Sequence, residues 1–168
     1  MENPLAVANC MIRLAIINNN PPTHMKLQKL IYFAHGWNLA FYDEPLTDKI
    51  FQAWHSGPAL IDVYQKFRLY GNERITKPYI GLTYSEEEQN YKFYEPSIQD
   101  RERTLQLLQR TCKAYGIYFG YELAKMIDVK NSPWKMMWTK YAGVPDIEIP
   151  NDLIKDYFKD LMKTKKLL

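Results

Sequence analysis

Apolar positions recur at three- and four-residue steps along most of the chain, which predicts a mainly helical protein. The first such segment covers residues 4–18 and is ended by a run of asparagine and proline residues. Apolar residues cover most of this helix, and one narrow edge is polar, with Asn9 and Arg13 in line with Glu2 and Asn20. A helix with so little polar surface is expected to be largely buried.

The second predicted helix covers residues 24–42, and Thr23 is placed to cap it by accepting a hydrogen bond from a first-turn amide. One stripe of this helix is apolar and is expected in the core: Leu27, Leu30, Ile31, Ala34, Trp37 and Phe41. A second face mixes aromatic, amide and cationic side chains: Lys26, Gln28, Lys29, Tyr32, His35 and Tyr42. Transient protein interfaces use such mixed surfaces, so this face is the first candidate partner-binding surface; a solvated helix face is the alternative.

Strand and turn signals follow the second helix. Residues 49–54 are aromatic and β-branched enough for a short strand. Gly57 and Pro58 are then interpreted as a turn that opens a helix reaching about Tyr70.

Residues 75–97 alternate tyrosine and aliphatic side chains around an acidic segment at 85–90, which predicts a β-hairpin with an acidic tip. Three of its tyrosines, Tyr79, Tyr84 and Tyr91, form the second candidate partner-binding surface.

The rest of the chain again has helical periodicity. The predicted elements are helices over about 98–115 and 118–128, a helix that Ser132 and Pro133 open and Gly143 and Pro145 end, a short strand at 147–149, and a last helix capped by Asn151. The pattern as a whole predicts one compact multi-helix domain over residues 1–168, mainly α with a small antiparallel β element.

Composition agrees with an ordinary folded protein, since 46% of the 168 residues are hydrophobic and 24% are charged. The net charge of +3 is too small to indicate a nucleic-acid partner by itself. The unusual number is 13 tyrosines, because tyrosine in excess of what a core needs favours a surface that contacts a partner.

Several classes of site are disfavoured by the motifs that the sequence lacks. Cys10 and Cys112 are far apart and outside any zinc pattern, which is typical of free thiols in a reducing cytoplasm. The apolar run at residues 4–17 is shorter than a bilayer requires and contains Arg13, so we expect a cytoplasmic protein without a membrane partner. No glycine-rich phosphate loop is present, and neither a cofactor nor a metal is expected.

Catalysis has only weak candidates. The three histidines, His24, His35 and His55, lie on separate elements without ligand spacing, so a hydrolase would have to pair His55 with Asp62 or Asp48 through the fold. The residues therefore favour a non-catalytic binding domain, with a small hydrolase as an alternative.

A series of ordered blocks resembles the Panacea domain family, the SocA-like and GepA-like phage-associated proteins. The blocks are Lys26 to Trp37, Glu44-Pro45-Leu46, Gln52 to Pro58, Tyr64 to Gly71, Glu122-Leu123, Ser132-Pro133-Trp134, and Ile149 to Tyr157. Members of the family often carry Thr-His shortly before Ser-Pro-Trp, where this chain has Asp128-Val129-Lys130. If that histidine has a chemical role in those relatives, this chain lacks it.

The resemblance implies a prokaryotic or prophage antitoxin that binds a protein toxin encoded next to it, in some relatives as an adaptor that delivers the toxin to a cellular protease. It supplies no residue-level binding site, and a homo-oligomer is left open. Most signature residues are interpreted as structural: Leu27, Leu30, Trp37, Trp54, Gly57, Pro58, Pro133 and Trp134.

A nucleic-acid-binding phage or prophage regulator is the other alternative, based on Lys66, Arg68, Arg74 and Lys77 and on the cationic stretch at residues 163–166.

The protein-interface hypothesis instead requires that tyrosines outside the core stripes lie at the surface. Those tyrosines are Tyr32, Tyr42, Tyr70, Tyr79, Tyr84, Tyr91 and Tyr94.

Overall fold

The computed structural model describes residues 1–100, 102–141, 144 and 146–165, and these residues form seven α-helices and two small antiparallel sheets. The helices are α1 (Pro4–Ile17), α2 (His24–Tyr42), α3 (Ile61–Phe67), α4 (Arg103–Tyr115), α5 (Gly120–Ile127), α6 (Pro133–Lys140) and α7 (Asn151–Lys165). The strands are β1 (Gln52–Trp54), β2 (Gly57–Ala59), β3 (Gly81–Ser85) and β4 (Asn90–Tyr94). The predicted mainly α class with a small antiparallel β element is confirmed, although the two hairpins exclude a strictly all-α description.

Local capping chemistry fixes where several helices begin. The Thr23 hydroxyl accepts a hydrogen bond from the Lys26 amide at 3.3 Å, and the Ser132 hydroxyl accepts one from the Lys135 amide at 3.2 Å, as the sequence predicts. Asn151 is instead the first residue of α7, and its side chain is used for a contact across the core. Gly143 and Pro145, predicted to end α6, lie outside the described residues.

Helix α2 lies at the centre of the molecule and packs against α1, α3, α4, α5, α7 and β2. Every residue from Lys26 to Ala40 is buried. Gly36 permits the close approach of α7, because a Cβ atom at this position would lie 2.3 Å from the Phe158 ring. No helix within the described ranges is both long and apolar enough to cross a membrane.

Two polar side chains of α2 bind the backbone of the β2 segment. The Gln28 amide donates to the Leu60 carbonyl at 3.0 Å and accepts from the Leu60 N–H at 2.9 Å. The Lys29 ammonium donates to the Pro58 carbonyl at 3.1 Å. These bonds satisfy backbone groups that would otherwise be buried without partners, so they hold residues 57–60 against α2.

Three further side chains of α2 bind other parts of the chain. Lys26 Nζ donates to the Gly116 carbonyl at 2.6 Å, before α5 begins, and the Asn38 amide donates to the Glu44 carbonyl at 2.7 Å. His35 Nε2 lies 2.9 Å from the Asn151 side-chain oxygen at the start of α7. Burial lowers the pKa of His35 to about 4, so the imidazole is neutral at physiological pH and its Nε2–H donates in this contact.

The prediction of an exposed second face on α2 is therefore wrong for five of its six residues. The buried five are Lys26, Gln28, Lys29, Tyr32 and His35. The physical reason is that other elements surround α2 on every side. Lys26, Gln28, Lys29 and His35 each bond to the surrounding chain, whereas the Tyr32 hydroxyl is buried without a hydrogen-bond partner. Of the six predicted surface residues, only Tyr42, at the end of the helix, is exposed. Phe41, which was expected in the core, is exposed as well.

The predicted turn at Gly57 and Pro58 is also wrong, because residues 57–59 form β2 and pair with β1. Gly57 takes a φ of +107°, a conformation that favours glycine, and α3 begins only at Ile61. The predicted strand at 147–149 forms a short bridge with the same sheet, through hydrogen bonds of 2.7 Å from the Ala53 N–H to the Ile147 carbonyl and from the Ile149 N–H to the Phe51 carbonyl.

Burial lowers the pKa of Lys29 to about 7, well below the 10.5 of an exposed lysine. Between these two values the unfolded chain binds more protons than the folded chain, so the Lys29 contribution to the free energy of unfolding rises with pH. We expect the wild type to gain about 2 kcal/mol relative to Lys29→Met between pH 7 and pH 9, measured by urea unfolding.

The same substitution at the exposed Lys49 serves as the reference for losing one positive charge. A stability difference between wild type and Lys29→Met that is constant from pH 7 to pH 9 would show that Lys29 stays charged in the folded state.

Candidate protein-binding site

The hairpin formed by β3 and β4 carries an apolar surface that faces solvent. Its register pairs Leu82 with Phe93 and Tyr84 with Tyr91. Paired residues lie on the same side of a sheet, as do residues two apart along a strand, so all four side chains share one side. These four residues define the aromatic face of the hairpin. Their exposed fractions run from 51% for Tyr84 to 81% for Phe93.

The aromatic face is continuous along the hairpin. The rings of Tyr84 and Tyr91 contact edge to face, with centroids 5.2 Å apart, and Ile80 adds a further exposed side chain just before β3. Exposed contiguous apolar surface of this kind is uncommon on soluble proteins and marks interaction sites, which are enriched in tyrosine and phenylalanine.

The opposite side of the hairpin has a different character. Thr83 and Lys92 form a polar pair there, and Tyr94 lies across Gly81, where a Cβ atom would be 2.4 Å from the Tyr94 ring. The two sides are therefore chemically distinct, and only the aromatic face offers a continuous apolar surface.

A single buried asparagine on α1 fixes both ends of the hairpin to the body of the protein. The Asn9 side-chain oxygen accepts from the Tyr79 N–H at 2.7 Å, and its amide donates to the Tyr79 carbonyl at 2.9 Å and to the Pro96 carbonyl at 3.2 Å. Because Asn9 is only 1% exposed, removing its side chain would take the protein partner from three backbone groups at the base of the hairpin. The hairpin is thus preorganised at its base.

Arg13 on the polar edge of α1 and Glu2, just before the helix, hold the chain that follows the hairpin. The Arg13 guanidinium binds the Glu95 carboxylate at 2.5 Å, an exposed pair that adds at most about 1 kcal/mol. The buried Glu2 carboxylate accepts from the Gln99 and Asp100 amides at 2.8 and 2.9 Å. The polar edge expected from the sequence is therefore the line along which residues 79–100 attach to α1.

Apart from the hairpin, a concave surface lies between the end of α2 and α4. Its volume is about 290 Å³, and its apolar lining comes from Trp37, Phe41, Tyr42, Leu107 and Tyr115. The Trp37 indole N–H donates to the Tyr115 hydroxyl at 3.0 Å, which joins α2 to α4 along this groove. Tyr42 is the one residue of the predicted α2 surface that reaches it.

The surface tyrosines are concentrated on the hairpin. Of the seven tyrosines expected at the surface, three are exposed on the hairpin: Tyr84, Tyr91 and Tyr94. Tyr42 on α2 is also exposed, Tyr70 and Tyr79 are half-buried, and Tyr32 is buried. The sequence interpretation named the tyrosines and missed Leu82 and Phe93. Their alternation with Tyr84 and Tyr91 on either side of the turn is the signal that identifies them.

The signature residues lie mostly inside the fold. Trp54 is half-buried and the others are buried: Leu27, Leu30, Trp37, Gly57, Pro58, Pro133 and Trp134. The Trp134 indole N–H donates to the Trp54 carbonyl at 2.9 Å, which joins α6 to β1.

Among the residues that the structure describes, neither Asp48 nor Asp62 forms an ion pair with His55. His35 contacts Asn151, His24 packs against Tyr64, and the exposed His55 packs against Trp138. Within the described part of the chain, no cluster of three or more histidine, cysteine, aspartate or glutamate residues could hold a metal ion.

The four cations that suggested nucleic-acid binding are all exposed, although two have partners in the protein. Arg74 donates to the Pro21 carbonyl at 2.9 Å, and Lys66 lies 5.1 Å from the centre of the Tyr79 ring. In the cationic stretch, Lys163 pairs with Asp160 at 3.1 Å, and Lys166 lies outside the described residues.

Comparison with known proteins gives one family and one curated relative. The family described as antitoxin SocA-like, Panacea domain, matches residues 27–135. Antitoxin SocA of Caulobacter vibrioides (strain NA1000 / CB15N) is 40% identical over 70 residues, which cover 42% of this chain and 37% of the relative. The aligned part thus spans little more than a third of that relative. No solved structure matches the chain significantly.

The three hydrogen bonds of the Asn9 side chain, called the Asn9 clamp below, predict that removing this side chain strongly destabilises the protein. Asn9→Ala leaves one buried and two partly buried backbone groups without their partner, so the free energy of unfolding should fall by about 2–3 kcal/mol in urea titrations. Asn18→Ala is the matched control, because Asn18 is exposed and bonds only to the Leu14 carbonyl in its own helix. Equal effects of the two substitutions would contradict the clamp.

Proposed function

The chain belongs to the antitoxin SocA-like family defined by the Panacea domain, and on that premise we propose that it neutralises a cognate protein toxin by binding it directly. The observation that carries the proposal is the aromatic face, four exposed apolar side chains on an anchored hairpin. The toxin, encoded by the adjacent gene, would lie on this face.

The expected mechanism is steric occlusion without a cofactor. Aromatic anchors at the centre of an interface contribute most of the binding energy, because they become fully desolvated against the partner. Anchoring by Asn9 lowers the entropy lost when the hairpin is immobilised, since both ends are already fixed. A bound toxin would then be unable to reach its own target.

Delivery of the toxin to a cellular protease is a variant of the same proposal. It needs a second surface that remains free while the aromatic face is occupied, and the groove between α2 and α4 is available for that purpose. The two variants differ in one readout: the adaptor lowers the amount of toxin in a protease-dependent way, whereas occlusion lowers only its activity.

The test is co-expression with the adjacent gene. The wild type should rescue growth, and the double substitution Tyr84→Ser/Phe93→Ser should abolish rescue and weaken the affinity for the purified toxin at least about 30-fold, as truncation of hot-spot residues does. Because both side chains are exposed, stability should change little.

Leu69→Ser is the matched control, since Leu69 is an apolar residue that is 92% exposed outside the hairpin. An adjacent gene that is not toxic, or toxicity that persists with the wild type, would remove the antitoxin role. Full rescue by the double variant would remove the aromatic face as the binding site.

A further inference from the structure

We propose that the toxin surface receiving the aromatic face is an apolar groove that carries lysine or arginine side chains where the hairpin tip lies. This inference rests on the proposed function and specifies the chemistry of the partner. Its basis is the distribution of charge along the hairpin, which differs sharply between tip and base.

The tip of the hairpin is acidic and well exposed. It consists of the turn at residues 86–89, which holds Glu86, Glu87 and Glu88. Glu88 forms an ion pair with Lys92 across the hairpin. Among the residues that the structure describes, Glu86 and Glu87 form no ion pair with the protein, so two carboxylates at the end of the aromatic face are free to interact with a partner.

The base of the hairpin has the opposite character. Lys66 lies 5.1 Å from the centre of the Tyr79 ring, and Lys77 is exposed two residues before that tyrosine. The Glu95 carboxylate, which directly follows β4, is bound by Arg13. The aromatic face therefore extends from a cationic end to an anionic end.

This polarity restricts both the partner and its orientation. The chain as a whole carries a net charge of +3, so the acidic tip is a local reversal of sign. Free carboxylates at the end of an apolar surface repel nucleic acid and anionic lipid, and they attract a protein surface with positive charge. The matching partner has cations at the tip end of its groove, which fixes the direction in which the hairpin lies.

The two parts of the surface should act on different rate constants. Exposed charges steer diffusional encounter and mainly change the association rate, with an effect that salt screens. Buried aromatic contacts mainly set the dissociation rate. The double substitution Glu86→Gln/Glu87→Gln keeps the size of the side chains and removes only their charge.

The experiment measures association and dissociation rates of the protein with the purified product of the adjacent gene at two salt concentrations. Glu86→Gln/Glu87→Gln should slow association about tenfold at ~20 mM salt and less than twofold at ~300 mM salt, with an unchanged dissociation rate. Asp48→Asn/Glu73→Gln is the matched control, because it removes two exposed carboxylates outside the hairpin.

Each outcome decides one point. If the two double variants associate equally fast at low salt while the wild type binds, the basic groove is refuted and the antitoxin role stands. Faster association of the tip variant would show an acidic partner surface and would also refute it. If the wild type forms no complex with the product of the adjacent gene, the proposed function fails, and this inference fails with it.

Discussion

The structure depends on a central helix that buries polar side chains and uses five of them, Lys26, Gln28, Lys29, His35 and Asn38, to hold other segments. Gln28 and Lys29 bind the backbone of residues 58–60, and His35 contacts the first residue of α7. A buried polar group without a partner costs about 1–3 kcal/mol, so these contacts favour one arrangement of the surrounding elements over the alternatives. The signature residues on α2 therefore bind the backbone of the signature segment around Gly57, and the two parts of the family signature form one contact.

The same logic connects the core to the proposed binding surface. Helix α1 packs on α2 through its apolar side and presents its polar edge to the hairpin segment, where Asn9 bonds three backbone groups. A two-stranded hairpin is at best marginally stable by itself, so its geometry depends on this attachment. Packing in the centre thus leaves the apolar face of the hairpin displayed outside the core, where side chains can vary without disturbing the fold.

Elements whose signals are local could be predicted from the sequence. The Thr23 and Ser132 caps, the bounds of α1 and the hairpin around its acidic turn each depend on a few neighbouring residues. The role of the polar residues on α2 could not be predicted, because their partners, such as Leu60 and Asn151, are distant in the chain. A glutamine or lysine on a helix has the same local pattern whether water or a buried carbonyl receives its hydrogen bond.

The central claim is that the aromatic face binds the toxin while the α2 core remains unchanged. The measurement that tests it is hydrogen–deuterium exchange of the protein with and without the product of the adjacent gene. Exchange should be slower at residues 80–94 in the complex and unchanged in α2. Slower exchange confined to the groove between α2 and α4, with the hairpin unaffected, would contradict it.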